Sequence, residues 1–478
     1  MTETQVTSPR PASSRVDDRA LFLLVAFTAV ANMALQWGSL INPDVAVLTW
    51  AAERVMGGAV FGVDVYEVAP PLCFLIYAPA VLLAKAVGID LALKLWITTI
   101  ACLSLLGLWQ ACDARLRLPV STAFALFVSL GFLGQFGQRE HVALMLCAPY
   151  AAGHVQRRGG SIANGMMAGI GFAIKPYFLI PLAFVFLTRR RIRAEEIAIA
   201  ITGAIYAIAL AAFFRPYVFE FLPMARATYW AFGTSRDSTL LFTAIILLCA
   251  IPLAAAGSPQ PASRGLLAAT IGFTAAALVQ YKGFAYHFHA AFGFLALYLA
   301  ARLLDPKRIV AICSALFLLV YAVILGNANL AWIDAMRSQK ATLSALKAEI
   351  DDAPSFISLI MDSPFPTFPL AVYTPARYEG LAIMQIFAPA VRNTSQGPEA
   401  NVVAAPLAIG QAVRELQRKP ARVIVKRDGS YFAREEGPFD FLSWLSRDAT
   451  FQKLWAHYTF DKYVQGYAIY RRKEPASP

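Results

Sequence analysis

Acidic side chains stand where an apolar chain should carry few. Asp44, Glu53, Asp64 and Glu67 fall between residues 41 and 71, directly after the first apolar run. More polar residues interrupt the apolar sequence that follows. They are Gln138-Arg139-Glu140-His141, Lys175 with Tyr177, and Lys282 with Tyr286, His287 and His289. Charges at membrane depth are expensive and usually face a cavity or one another. A carboxylate in such a cavity suits proton abstraction from a hydroxyl. Asp44 is read as a catalytic or acceptor-binding carboxylate, against a plain helix cap after Asn42-Pro43. Lys175 is read as a phosphate contact, against a lysine snorkelling to headgroups. Arg139 and Glu140 are adjacent, so they project in different directions. Glu67 has a solvated interfacial charge as its plain alternative. His287 and His289 are two apart and do not share a helix face, which makes a shared metal site a weak reading.

The elements that must position these residues are helices in a membrane. Apolar residues make up 58% of the 478 residues and charged residues 15%. Soluble domains sit nearer half apolar and a quarter charged. Apolar runs occur at 20–41, 91–111, 119–135, 142–156, 161–174, 177–188, 195–214, 238–256, 264–281, 285–303 and 308–326. The run 70–87 is bracketed by the acidic loop and Lys85, and is expected to lie in the outer interface. The net charge of +12 does not point to nucleic acid, because much of it lies in short loops. Arg115, Arg117, Arg157, Arg158 and the arginines from 189 to 193 fall on one side if the N-terminus is cytoplasmic. The positive-inside rule makes that side the cytoplasm. The acids, Lys175 and the histidines then face outward, toward the periplasm of a bacterium.

The chain divides into a polar leader (1–19), a membrane domain (20–329, first periplasmic loop 42–90) and a periplasmic domain (330–478). In the last, a helix is expected over 335–350. Short runs at 355–360, 371–373, 422–426 and 465–471 read as strands, and 411–417 and 439–446 as helices. This pattern suggests a small α/β fold that caps the cavity, positions substrate or docks a partner. The 6 cysteines all lie in or beside apolar runs and read as buried apolar residues.

The order of features resembles the GT-C superfamily of polyprenyl-phosphate-sugar-dependent glycosyltransferases, the group of the protein O-mannosyltransferases and the lipid A aminoarabinose transferases. The matching pieces are NPD (42–44), EVAPPL (67–72), GQREH (137–141), GFAIKPYF (171–178) with TRRRIR (188–193), and YKGFAYHFH (281–289). The resemblance is architectural and covers roughly residues 20–330. The apolar runs themselves predict about eleven membrane helices, with 70–87 as an interfacial helix. The resemblance implies an inverting transfer of a sugar from a polyprenyl-phosphate donor to a glycan, lipid or protein acceptor. Asp44, and Glu140 second, would be the base. Lys175, Arg139, Lys282 and His287 would hold the donor phosphate. Glu67, Asp64, Tyr177, Tyr286 and His141 would contact substrate. A divalent metal is compatible with this scheme but not required by it. The chain departs from those families in having Val45 after Asp44 where they often show an acidic pair, and Glu140 where their second acid is often Asp. The rival readings are a transporter or flippase for an anionic lipid or solute, and a non-catalytic membrane subunit. A transporter would be expected to show inverted repeats with broken helices in both halves, and no such duplication is visible.

Overall fold

The computed structural model describes residues 12–153, 161–189, 191–258, 261–361, 363–393, 398–426 and 439–473. Arg10, Arg157, Arg158 and Arg190 lie outside the described residues, as does most of the leader. Each apolar run of the membrane domain is helical over most of its described residues. Among the described residues, five helices are long and apolar enough to cross a membrane: Asp17–Gln36, Ile89–Ala111, Ala194–Phe213, Arg236–Ala256 and Arg308–Ile350. Shorter apolar helices, among them Ile162–Ala173, pack between them. Residues 70–87 form two short helices, Leu72–Leu75 and Ala78–Val87.

Two helices make the centre of the bundle. His289–Arg302 is buried along its whole length, and Arg139–Gly153 is buried from Glu140 onward. Their backbones approach closely at Gly293, where a Cβ would stand 2.3 Å from Leu144 Cδ2. The outer helices show the opposite pattern. Ile197, Ile201, Ile205 and Ile208 are all exposed, and their spacing puts them on one helical face. An apolar stripe of this size needs lipid to cover it.

Polar groups segregate to the two ends of the bundle. At one end Arg189 Nη1 donates to Glu195 (3.0 Å) and Glu196 (2.6 Å). At the same end Arg302 is paired with Asp305 at 2.8 Å, and Lys307 Nζ donates to the Ala256 carbonyl at 2.7 Å. The opposite ends of these same helices carry Arg139, Arg236 and His289. Among the arginines expected to mark the inner face, Arg189 is thus part of the folded bundle, and Arg115 and Arg117 donate to the Leu304 and Trp109 carbonyls.

The last membrane helix does not stop at the bundle. Arg308–Ile350 runs for 43 residues, about 65 Å at helical rise. The helix expected at 335–350 is its continuation into the C-terminal domain. That domain holds a sheet of five strands: β1 (Ser355–Leu359), β2 (Arg377–Tyr378), β3 (Arg422–Val425), β4 (Tyr458–Val464) and β5 (Tyr467–Arg472). Their order is β2-β1-β3-β5-β4, parallel on the β2-β1-β3 side and antiparallel beyond it. Residues 371–373 belong to a helix, Thr367–Tyr373, and not to a strand. Three apolar residues fit either period, so the pattern there could not decide. β4 was not expected, because only its first residue is buried and it lacks an apolar alternation.

Strand alternation buries both faces of the sheet. Ile357, Val423 and Ala468 enter a core within the domain, while Phe356, Ile424 and Ile469 join the core that continues into the bundle. Trp50 seals this junction, packing edge-on against Phe368 (5.5 Å) and Tyr378 (5.6 Å). Tyr373 adds a polar tie. Its hydroxyl accepts from Ile41 N–H and donates to Asp90, each at 2.9 Å. We expect Tyr373→Phe to lower stability by about 1–3 kcal/mol, the usual result of orphaning a buried partner. Thermal melting of the detergent-solubilised chain measures this, and an unchanged midpoint would refute the tie.

Glu415, fully buried in the C-terminal domain, sets a pH dependence. Burial pushes its carboxyl up to about 7 from an ordinary 4.5, against the opposing pull of Leu381 N–H, Gln411, Gln385 and Arg418. The folded state therefore holds the proton more tightly than the unfolded chain. The resulting stability is full below the ordinary value and is lost as pH rises through about 7. We expect the melting temperature to fall across that window, and Glu415→Gln to flatten the fall. Identical slopes in the two proteins would contradict it.

Candidate functional site

A cavity of about 530 Å³ lies between the end of the bundle that carries Arg139 and the C-terminal domain. Three parts of the chain wall it. The first is the start of the helix Pro43–Met56 with the loop through Glu67. The second is the membrane-side turns carrying Gln138, Arg139, Tyr229, Phe284 and Tyr286. The third is the C-terminal domain, through residues 363–365 and Ile383, Met384 and Ile386. The C-terminal domain thus contributes one wall of this cavity.

Asp44 is held at this wall by local chain chemistry. Asn42 caps the helix: its Oδ1 accepts from the backbone N–H of Asp44 (2.9 Å) and of Val45 (3.4 Å). Pro43 takes the first helical position, where a missing N–H is harmless. The cap role is therefore filled by Asn42, and the Asp44 carboxylate is left for other contacts. Gln138 Nε2 donates to Asp44 Oδ2 at 2.7 Å and to Asn42 Oδ1 at 3.1 Å. Arg139 Nη2 stands 3.9 Å from the same Asp44 oxygen. The side chain of Asp44 remains 24% exposed, enough for a ligand to reach it.

Arg139 is nearly buried, and its Nε has no hydrogen-bond partner among the described residues. Buried polar atoms in folded proteins are usually satisfied. Arg139 also lines the cavity, where its guanidinium can meet an acceptor oxygen. Glu67, also on the wall, accepts from Ala69 N–H at 2.9 Å. Burial pushes its carboxyl above the ordinary carboxylate range, against the pull of Arg139.

Glu140 behaves differently from Asp44. Its side chain is fully buried and forms an ion pair with Lys175, itself buried. Neither residue lines the cavity. The Lys175 ammonium faces the Tyr286 ring at 5.6 Å, and Tyr286 does line it. The pair thus sits one layer behind the wall. Arg139 points to Asp44 and Glu140 to Lys175, as adjacent helical residues should.

The other expected contacts fall outside the lining. Lys282 Nζ donates to the Tyr229 carbonyl at 2.7 Å and lies over that ring at 4.2 Å, so it braces Tyr229. His287 is buried edge-on to Tyr286 at 4.5 Å. His141 Nδ1 accepts from Gly137 N–H at 3.1 Å, and its ring packs against His289 at 5.2 Å. Asp64 accepts from Arg418 at 3.2 Å and docks the C-terminal domain. Tyr177 is 40% exposed, away from the cavity. Burial and tertiary pairing, not residue type, separate these from the wall residues.

Several wall residues were not singled out by sequence. Gln135 and Gln339 contribute amides beside those of Asn42 and Gln138, and Phe365 and Met384 come from the C-terminal domain. The Asn-Pro pair at a helix start was a usable signal for Asn42; nothing local marks Phe365 or Met384. Among the described residues, no three His, Cys, Asp or Glu side chains converge as metal ligands would. All 6 cysteines are free thiols. No family model, no curated protein and no solved structure matches this chain.

Proposed function

We propose that the protein is a multi-pass membrane glycosyltransferase of the GT-C type, moving a sugar from a polyprenyl-phosphate donor to an acceptor hydroxyl. About eleven crossings would set the cavity and the C-terminal domain on the periplasmic side of a bacterial inner membrane. One observation carries the reading: a part-exposed carboxylate, Asp44, is oriented by Gln138 beside a guanidinium, Arg139, that also lines the cavity. Proton acceptor and anion contact are thus adjacent at an open wall.

The chemistry balances with these groups. Asp44 takes the proton from the acceptor hydroxyl. The freed oxygen attacks the anomeric carbon from the face opposite the phosphate. The bond from that carbon to the phosphate oxygen breaks, and its electron pair leaves on phosphate. Arg139 stabilises the charge that accumulates there. Tyr229, Phe284 and Tyr286 give the wall an aromatic surface for the sugar to pack against. Lys175, paired with Glu140, backs the Tyr286 ring. No step needs a metal.

The test is transfer by the purified chain. A polyprenyl-phosphate carrying a radiolabelled hexose is incubated with envelope membranes as the acceptor pool. Label should leave the polyprenyl fraction for an envelope product. Label that stays on the donor refutes the reading. Label that moves between vesicle leaflets without changing carrier would favour a flippase instead. Mass spectrometry of envelope glycans with and without the protein then identifies the product.

A further inference from the structure

The wall of the cavity farthest from the bundle is a strap, residues 381–386. It makes one bridge, from Ala382 to Tyr66, and otherwise belongs to no helix or strand. Such a segment needs outside help to hold one shape, because it lacks a ladder of its own. Part of that help comes from the end of β1 and from β2, through Ile360 and Tyr378, and three N–H donors meet on a single carboxylate. Glu415 lies on the helix Pro398–Gln417 and is fully buried. Its Oε1 accepts from Leu381 N–H at 2.9 Å and from Gln411 Nε2 at 3.0 Å. Its Oε2 accepts from Gln385 Nε2 at 2.6 Å. Gln411 also donates to the Met384 carbonyl at 3.0 Å. Leu381 passes the constraint on, since its carbonyl accepts from Tyr66 N–H at 2.5 Å. Tyr66, Ile383, Met384 and Ile386 all face the cavity.

We propose that Glu415 is a positioning residue for this wall, and that the strap it holds selects the acceptor. A buried carboxylate with three N–H donors aimed at it is a costly way to build a core. What it supplies is a fixed register at Leu381 and Gln385, beside the ties that Tyr378 Oη makes to the Ala382 carbonyl (2.9 Å) and Gln385 N–H to the Ile360 carbonyl (2.8 Å). The selecting surface is apolar, formed by Ile383, Met384 and Ile386 with Phe365 across from them. It lies on the C-terminal domain side. A donor arriving from the bilayer meets the membrane-side rings first, and a molecule arriving from the aqueous side meets the strap. The acceptor should therefore present an apolar or ring-bearing group next to its reacting hydroxyl. This second half rests on the glycosyl-transfer reading; the positioning role does not.

The test uses the full chain in detergent and reads amide hydrogen exchange. Glu415→Ala should speed exchange at Tyr66 and Leu381 by about tenfold or more, leaving the amides of β3 unchanged. Glu415→Gln keeps an oxygen for Leu381 N–H and should restore most of the protection. Gln411→Met, a milder change, should loosen the strap in the same selective way if Glu415→Ala does not fold. Unchanged strap exchange in Glu415→Ala, or equal opening of β3, would overturn the positioning role. So would a Glu415→Gln protein as open as Glu415→Ala. In the transfer assay, Glu415→Ala should raise the half-saturating amount of envelope acceptor about threefold or more, with the donor value unmoved. A shift confined to the donor would overturn acceptor selection. If the wild-type chain transfers no label, the glycosyl-transfer reading fails while the exchange result still decides the role of Glu415.

Discussion

Asp44→Asn should reduce sugar transfer by about a hundredfold or more, the range expected when a general base is removed. The fold should survive. The helix start is capped by Asn42, not by Asp44, and an amide at 44 still offers Gln138 an acceptor oxygen. Melting temperature and elution volume should therefore match the wild type while turnover collapses. Transfer that persists at the wild-type rate would remove Asp44 from the base role. A collapse accompanied by unfolding would instead mean that the carboxylate supports structure. Glu67→Gln provides the contrast. Its carboxyl is already pushed toward the neutral form by burial, and its contact to Ala69 N–H survives in the amide. Its effect on turnover should be much smaller than that of Asp44→Asn.

The second large effect concerns the buried pair behind the wall. Lys175→Met leaves Glu140 buried without its partner, and breaking such pairs costs about 3–5 kcal/mol. Replacing both partners by neutral groups is far milder, because no charge is then stranded. We therefore expect Lys175→Met to melt many degrees lower, and Glu140→Gln with Lys175→Met to recover most of the loss. If the two single changes simply add in the double variant, the pair is not coupled and this account fails. The double variant also separates the two candidate bases. Substantial transfer by it would leave Asp44 as the base and make Glu140 a positioning residue. Abolished transfer in a well-folded double variant would return Glu140 to the chemistry.

The comparison of Asp44 with Glu140 shows where reading a sequence stops. Both are acids next to an outer helix start, and both have a cation within reach. What differs is the partner. Asp44 meets Gln138 and a guanidinium at 3.9 Å while keeping a quarter of its surface open. Glu140 meets an ammonium 35 residues further along, inside a closed layer. Residue type and spacing do not carry that distinction, since burial is a property of the packed bundle. The histidines give the same lesson. His141 and His289 looked like polar residues returning to one face. They do return to each other, but among Phe127, Phe132 and Phe136, away from the cavity.

Several properties were legible from sequence alone. The membrane class follows from composition, and the helical segments follow from apolar runs closed by Gly, Pro and charge. The helix Ile89–Ala111 begins and ends within two residues of the expected 91–111. The first-loop acids and the Asn-Pro helix start were equally visible. These are local signals, set by backbone propensity and by transfer of side chains into lipid. Tertiary structure alone decided which acid stays open, that Lys175 is already paired, and that the C-terminal domain supplies a cavity wall held by Glu415. Each of these depends on contacts between residues far apart in the chain, and hydrophobic packing chooses such contacts collectively, with no single residue announcing its partner.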